Sequence, residues 1–391
     1  MKEHDLIKLL FIFPTFVIFI LLLSCVNKQT EFAIKESIEI KTIKGITIDT
    51  VIISPKSFSG EGFFVLEDSN ILYFDEIFAT VSIFDLKGNY ISTQLGLGQG
   101  PNEINGLQQY LKFKDKRLIF KGFSIYTFDL NWNKIAFSQI DWGQHHSLRE
   151  LSKNPDPEYH DLYEVKYFEN SFKAFDDQHI IFSIETSHPN FNFCTTKEYY
   201  KTSRIFAKLN IETNRIDEIF GTKSEKYLSY NLLPIYDYHY YDIANDTIFI
   251  NFEPDYLIYM YDKKYRPINA FGVPGKIIND DYLQTLTIKE YDNSFHSDRA
   301  KRGFYNHLKY IPTTNYLFRN YYTGKKESEN EDTPNPLRLQ IYQKENIVGD
   351  VEVPAKFRVI GYTAPWYYAD GYIDESGEDI IVGFYRFKIN F

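Results

Sequence analysis

The sequence is poor in cysteine and methionine, with 2 of each among 391 residues. Cys25 and Cys194 allow at most one disulfide, so a cystine-stapled scaffold is excluded and the hydrophobic core must carry stability. Positive charge is in deficit: 43 Lys and Arg stand against 53 Asp and Glu, a formal net charge of −10. Such a chain is repelled by phosphates, which argues against nucleic acid as a partner. Helical periodicity is missing between the apolar runs, which disfavours a parallel α/β sheet. Catalytic signatures are missing too. There is no G-x-S-x-G elbow, no H-E-x-x-H helix, no fixed zinc spacing and no D-x-[DN]-x-[DN]-G calcium loop, so neither a metal nor another cofactor is expected.

One long hydrophobic run is present, at the start. Leu9 to Leu23 is apolar apart from Thr15 and contains Pro14. It is short for a membrane-spanning helix, which needs about 20 residues, and suits the apolar region of a signal peptide. The run ends Leu22-Leu23-Ser24-Cys25, which resembles a bacterial lipobox. The resemblance implies a signal peptide over residues 1–24 and a diacylated Cys25 as the mature N-terminus. With Cys25 acylated, no intramolecular disulfide remains, and Cys194 reads as a structural thiol. Residues 25–35 read as a polar, lipidated tether. The expected address is the bacterial cell envelope, anchored in the lipid bilayer. Val26-Asn27-Lys28-Gln29-Thr30-Glu31 is not clearly acidic, which favours the periplasmic face over the cell surface.

What the chain has in abundance is Tyr (32) and Phe (34), side chains that favour pleated, half-buried strands. A short apolar strand recurs six times: Ile71-Leu72-Tyr73, Leu118-Ile119-Phe120, Ile180-Ile181-Phe182, Ile248-Phe249-Ile250, Tyr316-Leu317-Phe318 and Ile380-Ile381-Val382. Their centres lie 47, 62, 68, 68 and 64 residues apart. Turn residues precede most copies, as Asp68-Ser69-Asn70 does the first. A second element follows in several copies: an apolar strand ending in Asp85, Asp129, Asn210 or Asp262, then a turn and another strand. The terminal Asp or Asn can accept bonds from its own turn and close a hairpin. Three copies then reach a glycine, Gly96, Gly221 and Gly272. The sixth copy lacks its second half, and Ile38 to Ile53 is strand-like without a partner. The economical arrangement is an all-β, six-bladed β-propeller over residues 36–391, closed by the N-terminal strand joining the C-terminal blade.

The segment Leu72 to Glu103 resembles one repeat of the six-bladed, TolB-like or NHL-like propeller lipoproteins of Bacteroidetes. Its end, Gly96-Leu97-Gly98-Gln99-Gly100-Pro101-Asn102-Glu103, is similar to their G-x-G-P-x-E blade-end motif, matched by Gly98, Gly100, Pro101 and Glu103. Gly272-Val273-Pro274-Gly275 is a degenerate echo. The resemblance implies a fold and a compartment, not a reaction. A phosphate-cradling loop is a poor reading of the same glycines, because Pro101 follows at once and no βαβ unit surrounds them.

Few constellations point to chemistry. His145-His146 and His160 lie beside Asp156, Glu158 and Asp161 but lack metal-ligand spacing. His239, among Tyr236, Tyr238, Tyr240 and Tyr241, reads as strand packing. Insertions at 141–170, 186–203, 273–300 and 322–335 hold Trp142, Tyr159, Tyr163, Tyr199, Tyr200, Tyr282, Arg299 and Tyr322, types enriched at binding surfaces. The first expectation is therefore a non-enzymatic binding or scaffold module for an envelope protein or a glycan. A carbohydrate hydrolase or lyase is the alternative, and an accessory partner of an outer-membrane transporter a third. Carboxylates or histidines converging at the channel mouth would favour the enzyme; aliphatic and Tyr walls would favour the binder.

Overall fold

In the computed structural model, residues 32–36, 43–53, 58–143, 146–168, 170–325 and 333–391 are described. The first apolar repeat shows how each unit is built. Gly62–Glu67, Asn70–Asp75, Thr80–Asp85 and Tyr90–Leu95 form an antiparallel meander, blade 1. Its second hairpin is closed by Asp85, whose Oδ1 accepts from the amides of Lys87 (2.8 Å) and Asn89 (2.9 Å). Asp129 accepts from the amides of Asn131 and Asn133, Asn210 from those of Glu212 and Thr213, and Asp262 from those of Lys264 and Arg266. The same self-bonding turn thus fixes register in four blades.

Blade 2 comprises Gln109–Phe113, Lys116–Lys121, Ser124–Asp129 and Lys134–Gln139. Blade 3 has His179–Glu185, Phe206–Asn210 and Arg215–Phe220, with an innermost strand broken into Glu164–Val165 and Lys173–Ala174. Blade 4 comprises His239–Ala244, Thr247–Phe252, Ile258–Asp262 and Pro267–Gly272; blade 5 comprises Gly303–Ile311, Tyr316–Thr323, Leu337–Gln343 and Asn346–Val353. Blade 6 takes Arg358–Thr363, Trp366–Asp374 and Ile381–Asn390 from the C-terminus, and Gly45–Ile52 as its outermost strand. That strand pairs antiparallel from Gly45 opposite Asn390 to Ile52 opposite Gly383. The ring is therefore six-bladed and closed by both chain ends, as expected.

Two expectations are corrected. Ile380-Ile381-Val382 opens the third strand of blade 6, not the second; the equivalent of the other triplets is Trp366–Asp374. Its Trp-Tyr-Tyr-Ala start has three aromatic residues and breaks the largely aliphatic pattern of the other copies. Ile34 and Lys35, read from sequence as the end of a tether, instead lie in a strand. Ile34–Glu36 adds a parallel fifth strand to the outer edge of blade 4, with Ile34 opposite Ala270 and Glu36 opposite Gly272. Phe32 packs edge-on to Tyr259 and Tyr261, each at 5.0 Å, and Lys35 pairs with Glu345 of blade 5 at 3.0 Å.

The core lies between adjacent sheets. Phe74, Phe120, Phe182 and Phe318, on the second strands of four blades, are fully buried. Truncating any one to Ala would cost about 3–5 kcal/mol. Successive strands run antiparallel, so all connections fall at two ends. At one end lie tight hairpins such as 68–69, 86–89 and 114–115; at the other lie the blade-to-blade links and second-to-third-strand loops.

Candidate functional site

The four longest connections are at that second end, hereafter the loop end: 140–163, 186–205, 221–238 and 273–302. All belong to the half of the ring around blades 3–5. The second-to-third-strand tips of blades 6, 1 and 2 at the same end are short, as at 76–79 and 122–123, while the 96–108 link between blades 1 and 2 equals 324–336 in length. The loop end is thus a stepped surface, tall on one side and low on the other.

Buried ionic groups pin the tall side. In the 273–302 insertion, helix Ile288–Arg299 begins with a capping box between Thr287 and Glu290. It ends at Arg299, whose guanidinium donates to both oxygens of Glu253 on blade 4, at 2.7 and 2.8 Å, and to the Ile235 carbonyl at 3.0 Å. The guanidinium also lies 4.0 Å from the Phe304 ring centroid. A second cluster joins blade 3 to the 221–238 insertion. Lys166 reaches Glu185 (3.0 Å) and Asp237 (3.2 Å), Lys223 reaches Asp237 (2.6 Å), and the Tyr199 hydroxyl donates to Asp237 (2.8 Å). Burial opposes the Lys166 charge, but Glu185 and Asp237 overcome it and hold the ammonium above the ordinary lysine value. Burial and the neighbouring Lys166 lower Lys223 in spite of Asp237. His239, beside this cluster, bonds Ser183 Oγ at 3.0 Å; burial, with Lys223 and Lys166, pushes it far below the usual imidazole value, so it is neutral.

On the axis is a cavity of about 200 Å³. Its walls are mainly Phe63, Phe64, Phe168, Tyr240, Tyr241 and Leu308, and its charges include Lys173, Lys309, Arg358 and Asp370. Arg358 pairs with Asp370 at 2.7 Å, and Lys309 with Asp242 at 3.2 Å. The break in blade 3 shapes one wall. Residues 170–171 lie against the innermost strand of blade 2, where Asn170 Oδ1 accepts the Tyr110 amide (2.9 Å) and Gln109 Oε1 accepts the Ser171 amide (2.6 Å). Glu169 is outside the described residues. Near the cavity, the carboxylates of Asp75, Asp370, Glu61 and Glu76 surround Tyr73; burial and these charges raise its phenol. Asp75 accepts from Ser59 N and Oγ, Ile77 N and Phe78 N, and Asp370 is taken by Arg358 and backbone amides. The two buried carboxylates are therefore spent on internal donors.

The residues singled out from sequence fall in different places. Cys25 and His145 lie outside the described residues. Glu103 Oε2 accepts the Gly100 amide at 2.8 Å, and a Cβ on Gly98 would stand 2.1 Å from that oxygen. Gly98 N donates to the Ile104 carbonyl, so the blade-end segment, with Pro101 in its turn, is a closed loop. His146 bonds Asp161 at 2.8 Å and His160 bonds the Trp142 carbonyl at 3.2 Å; they do not converge. Among the described residues no group of three or more His, Cys, Asp or Glu is placed to hold a metal. Tyr163, Tyr199, Tyr200 and Tyr282, expected on a binding surface, are instead buried, their hydroxyls bonded to Pro157 O, the Asp237 carboxylate, Phe193 O and Gly303 O. Arg299 is likewise an internal anchor. Sequence reading missed Lys166, Lys223, Asp237 and Glu253, which belong to segments with no motif. It also missed the 221–238 insertion, whose only signal is the unusual distance from Gly221 to the next apolar strand.

Comparison with known proteins agrees with the geometry. No protein-family pattern and no curated protein sequence matches the chain. Among solved structures, a DUF4221 family member from Bacteroides vulgatus superposes with a TM-score of 0.62 at 12% identity, over 88% of this chain and 99% of that one. This chain shares its fold. A protein from Bacteroides fragilis, described as exported, superposes with a TM-score of 0.53 at 11% identity, over 92% of this chain and 100% of that one. The likeness to the two Bacteroides structures is one of fold, and it spans nearly the whole of each chain.

Proposed function

We propose that this protein is a non-enzymatic binding module of the bacterial cell envelope, anchored through acylated Cys25 at the periplasmic face and presenting its loop end to an envelope protein or a glycan. The observation that carries this reading is the clustering of the four longest connections around blades 3 and 4, with buried ion pairs anchoring 221–238 and 273–302. Loops on a rigid scaffold are the usual carriers of recognition, and a preordered surface binds without a large ordering cost. The buried carboxylates near the axis are consumed by internal donors, which speaks against the carbohydrate hydrolase or lyase. The exported relative of the same fold and the lipobox-like run support the address.

The test has two parts. Labelling with a fatty-acid analogue in a bacterial host is expected to mark the wild type and not Cys25→Ser. The lipidated protein, solubilised from membranes, is then compared with a variant whose 273–302 insertion is replaced by a short turn. A partner retained by the first and lost by the second supports the reading. Equal retention by both, or turnover of polysaccharide by the purified protein, overturns it.

A further inference from the structure

The low side of the loop end carries exposed apolar tips that the core does not use. Ile77 and Phe78 on blade 1 are 56% and 45% exposed, and Phe123 on blade 2 is 49% exposed. Ile380 and Ile381 on blade 6 are 36% and 38% exposed. The tips of blades 6 and 1 are neighbours. A Cβ on Gly60 would stand 3.1 Å from Ile380 and 3.9 Å from Glu375. The next residue, Glu61, accepts the Glu76 amide, and Glu76 precedes Ile77. Lys121, two residues from Phe123, acts electrostatically on Glu76. Carboxylates frame the apolar tips: Glu61, Glu76, Glu375, Glu378 and Asp379 are all exposed. Of the cations, Lys121 and Arg358 act electrostatically on Glu76, and Arg358 is paired with Asp370.

We infer that the tips of blades 6 and 1 form a docking surface for a protein segment with aliphatic side chains flanked by Lys or Arg. This rests on the binding-module reading and gives the partner held by the 273–302 insertion a second contact on the low side of the same end. Contiguous exposed apolar side chains with a polar rim mark an interaction site, and an acidic rim selects a basic partner. A second copy of the chain would set carboxylates against carboxylates. Anionic lipid headgroups would be repelled by the same rim. A glycan would find Ile77, Ile380 and Ile381 without the hydroxyl partners that its own groups require.

The probe is a short peptide of alternating Lys and Leu, with one twin carrying Glu for Lys and another Ser for Leu. Each is titrated by fluorescence anisotropy against the full mature chain in detergent. The Lys/Leu peptide is expected to bind at low salt and both twins to bind about tenfold weaker or worse. Ile77→Ser with Phe78→Ser, and separately Glu375→Gln with Glu378→Gln, each weaken it about tenfold while circular dichroism stays unchanged. Equal binding by the Ser twin, or no loss in either variant, overturns the inference, as does binding of anionic vesicles without binding of the peptide. A photo-crosslinker at Phe78 and another at Leu283, on the 273–302 insertion, separate the two proposals in the anchored protein. Crosslinking to a basic, aliphatic segment through Phe78 supports the inference. Partner crosslinking through Leu283 alone leaves the binding module standing and removes this surface.

Discussion

Glu253→Gln is the sharpest probe of the pinned insertion. Glu253 is completely buried, and its two oxygens receive both forks of Arg299 as well as the Tyr240 hydroxyl at 3.0 Å. The amide keeps the shape but removes the charge, so the guanidinium is left buried without its counter-ion. Breaking one partner of a buried pair costs about 3–5 kcal/mol. Unfolding entropy of about 2.1 cal/mol/K per residue, over about 340 described residues, gives about 0.7 kcal/mol/K and hence a fall of about 4–7 °C in Tm. Calorimetry reads that fall, and limited proteolysis is expected to cut first within 273–302. Arg299→Met combined with Glu253→Gln should recover much of the loss, since no orphan charge remains and the Phe304 face accepts a thioether. A single variant melting within about 1 °C of wild type, or a double variant as unstable as the two losses added, would refute the claim that this pair holds the insertion.

The unfolded imidazole of His239 takes a proton below about 6.5, while the folded one stays neutral. Stability from this group is full above that pH and falls by up to about 1.4 kcal/mol per pH unit below it. In urea titrations from about pH 7 to about pH 5, His239→Gln is expected to show a shallower decline than wild type. Gly98→Ala must displace the Glu103 carboxylate, so it and Glu103→Ala should each cost about 1 kcal/mol, and the double variant little more than either; chemical denaturation decides. A chain beginning at Phe58 lacks the closing strand and bares the edge of Ile381–Asn390. It is expected to associate in sedimentation runs, and a peptide spanning residues 43–53 added in trans should suppress that association.

The fold was legible because its signals are local. Apolar strands, Asp or Asn closing a turn two to four residues on, and an unpaired N-terminal strand are all visible one segment at a time. Where blade 6 departs from the pattern, with Trp366-Tyr367-Tyr368 in place of an aliphatic triplet, the register was misplaced by one strand. The site was far less legible. Lys166 meets Asp237 across 71 positions and Arg299 meets Glu253 across 46, and only closure of the ring brings such residues together. Tyr199, Tyr200 and Tyr282 misled for a related reason: composition reports which side chains a loop owns, not which way it folds over them. The apolar tips of blades 1 and 6 carry no motif at all; they matter only because Gly60 sets Ile380 beside the blade 1 tip.

The short parallel strand Ile34–Glu36 has a mechanical consequence. It is entered from the hairpin end and lies along Pro267–Gly272. Tension arriving from the N-terminal side along its length loads the hydrogen bonds of the strand in shear, all at once, not one by one as in unzipping. Phe32, seated between Tyr259 and Tyr261, and the Lys35–Glu345 pair act as rivets on either side of that shear plane. The strand that seals the ring, Gly45–Ile52, comes later along the chain, so a pull that strips the first attachment still leaves the circle shut. The fold thus places a strain relief between whatever tugs on its leading segment and the seam that its integrity depends on.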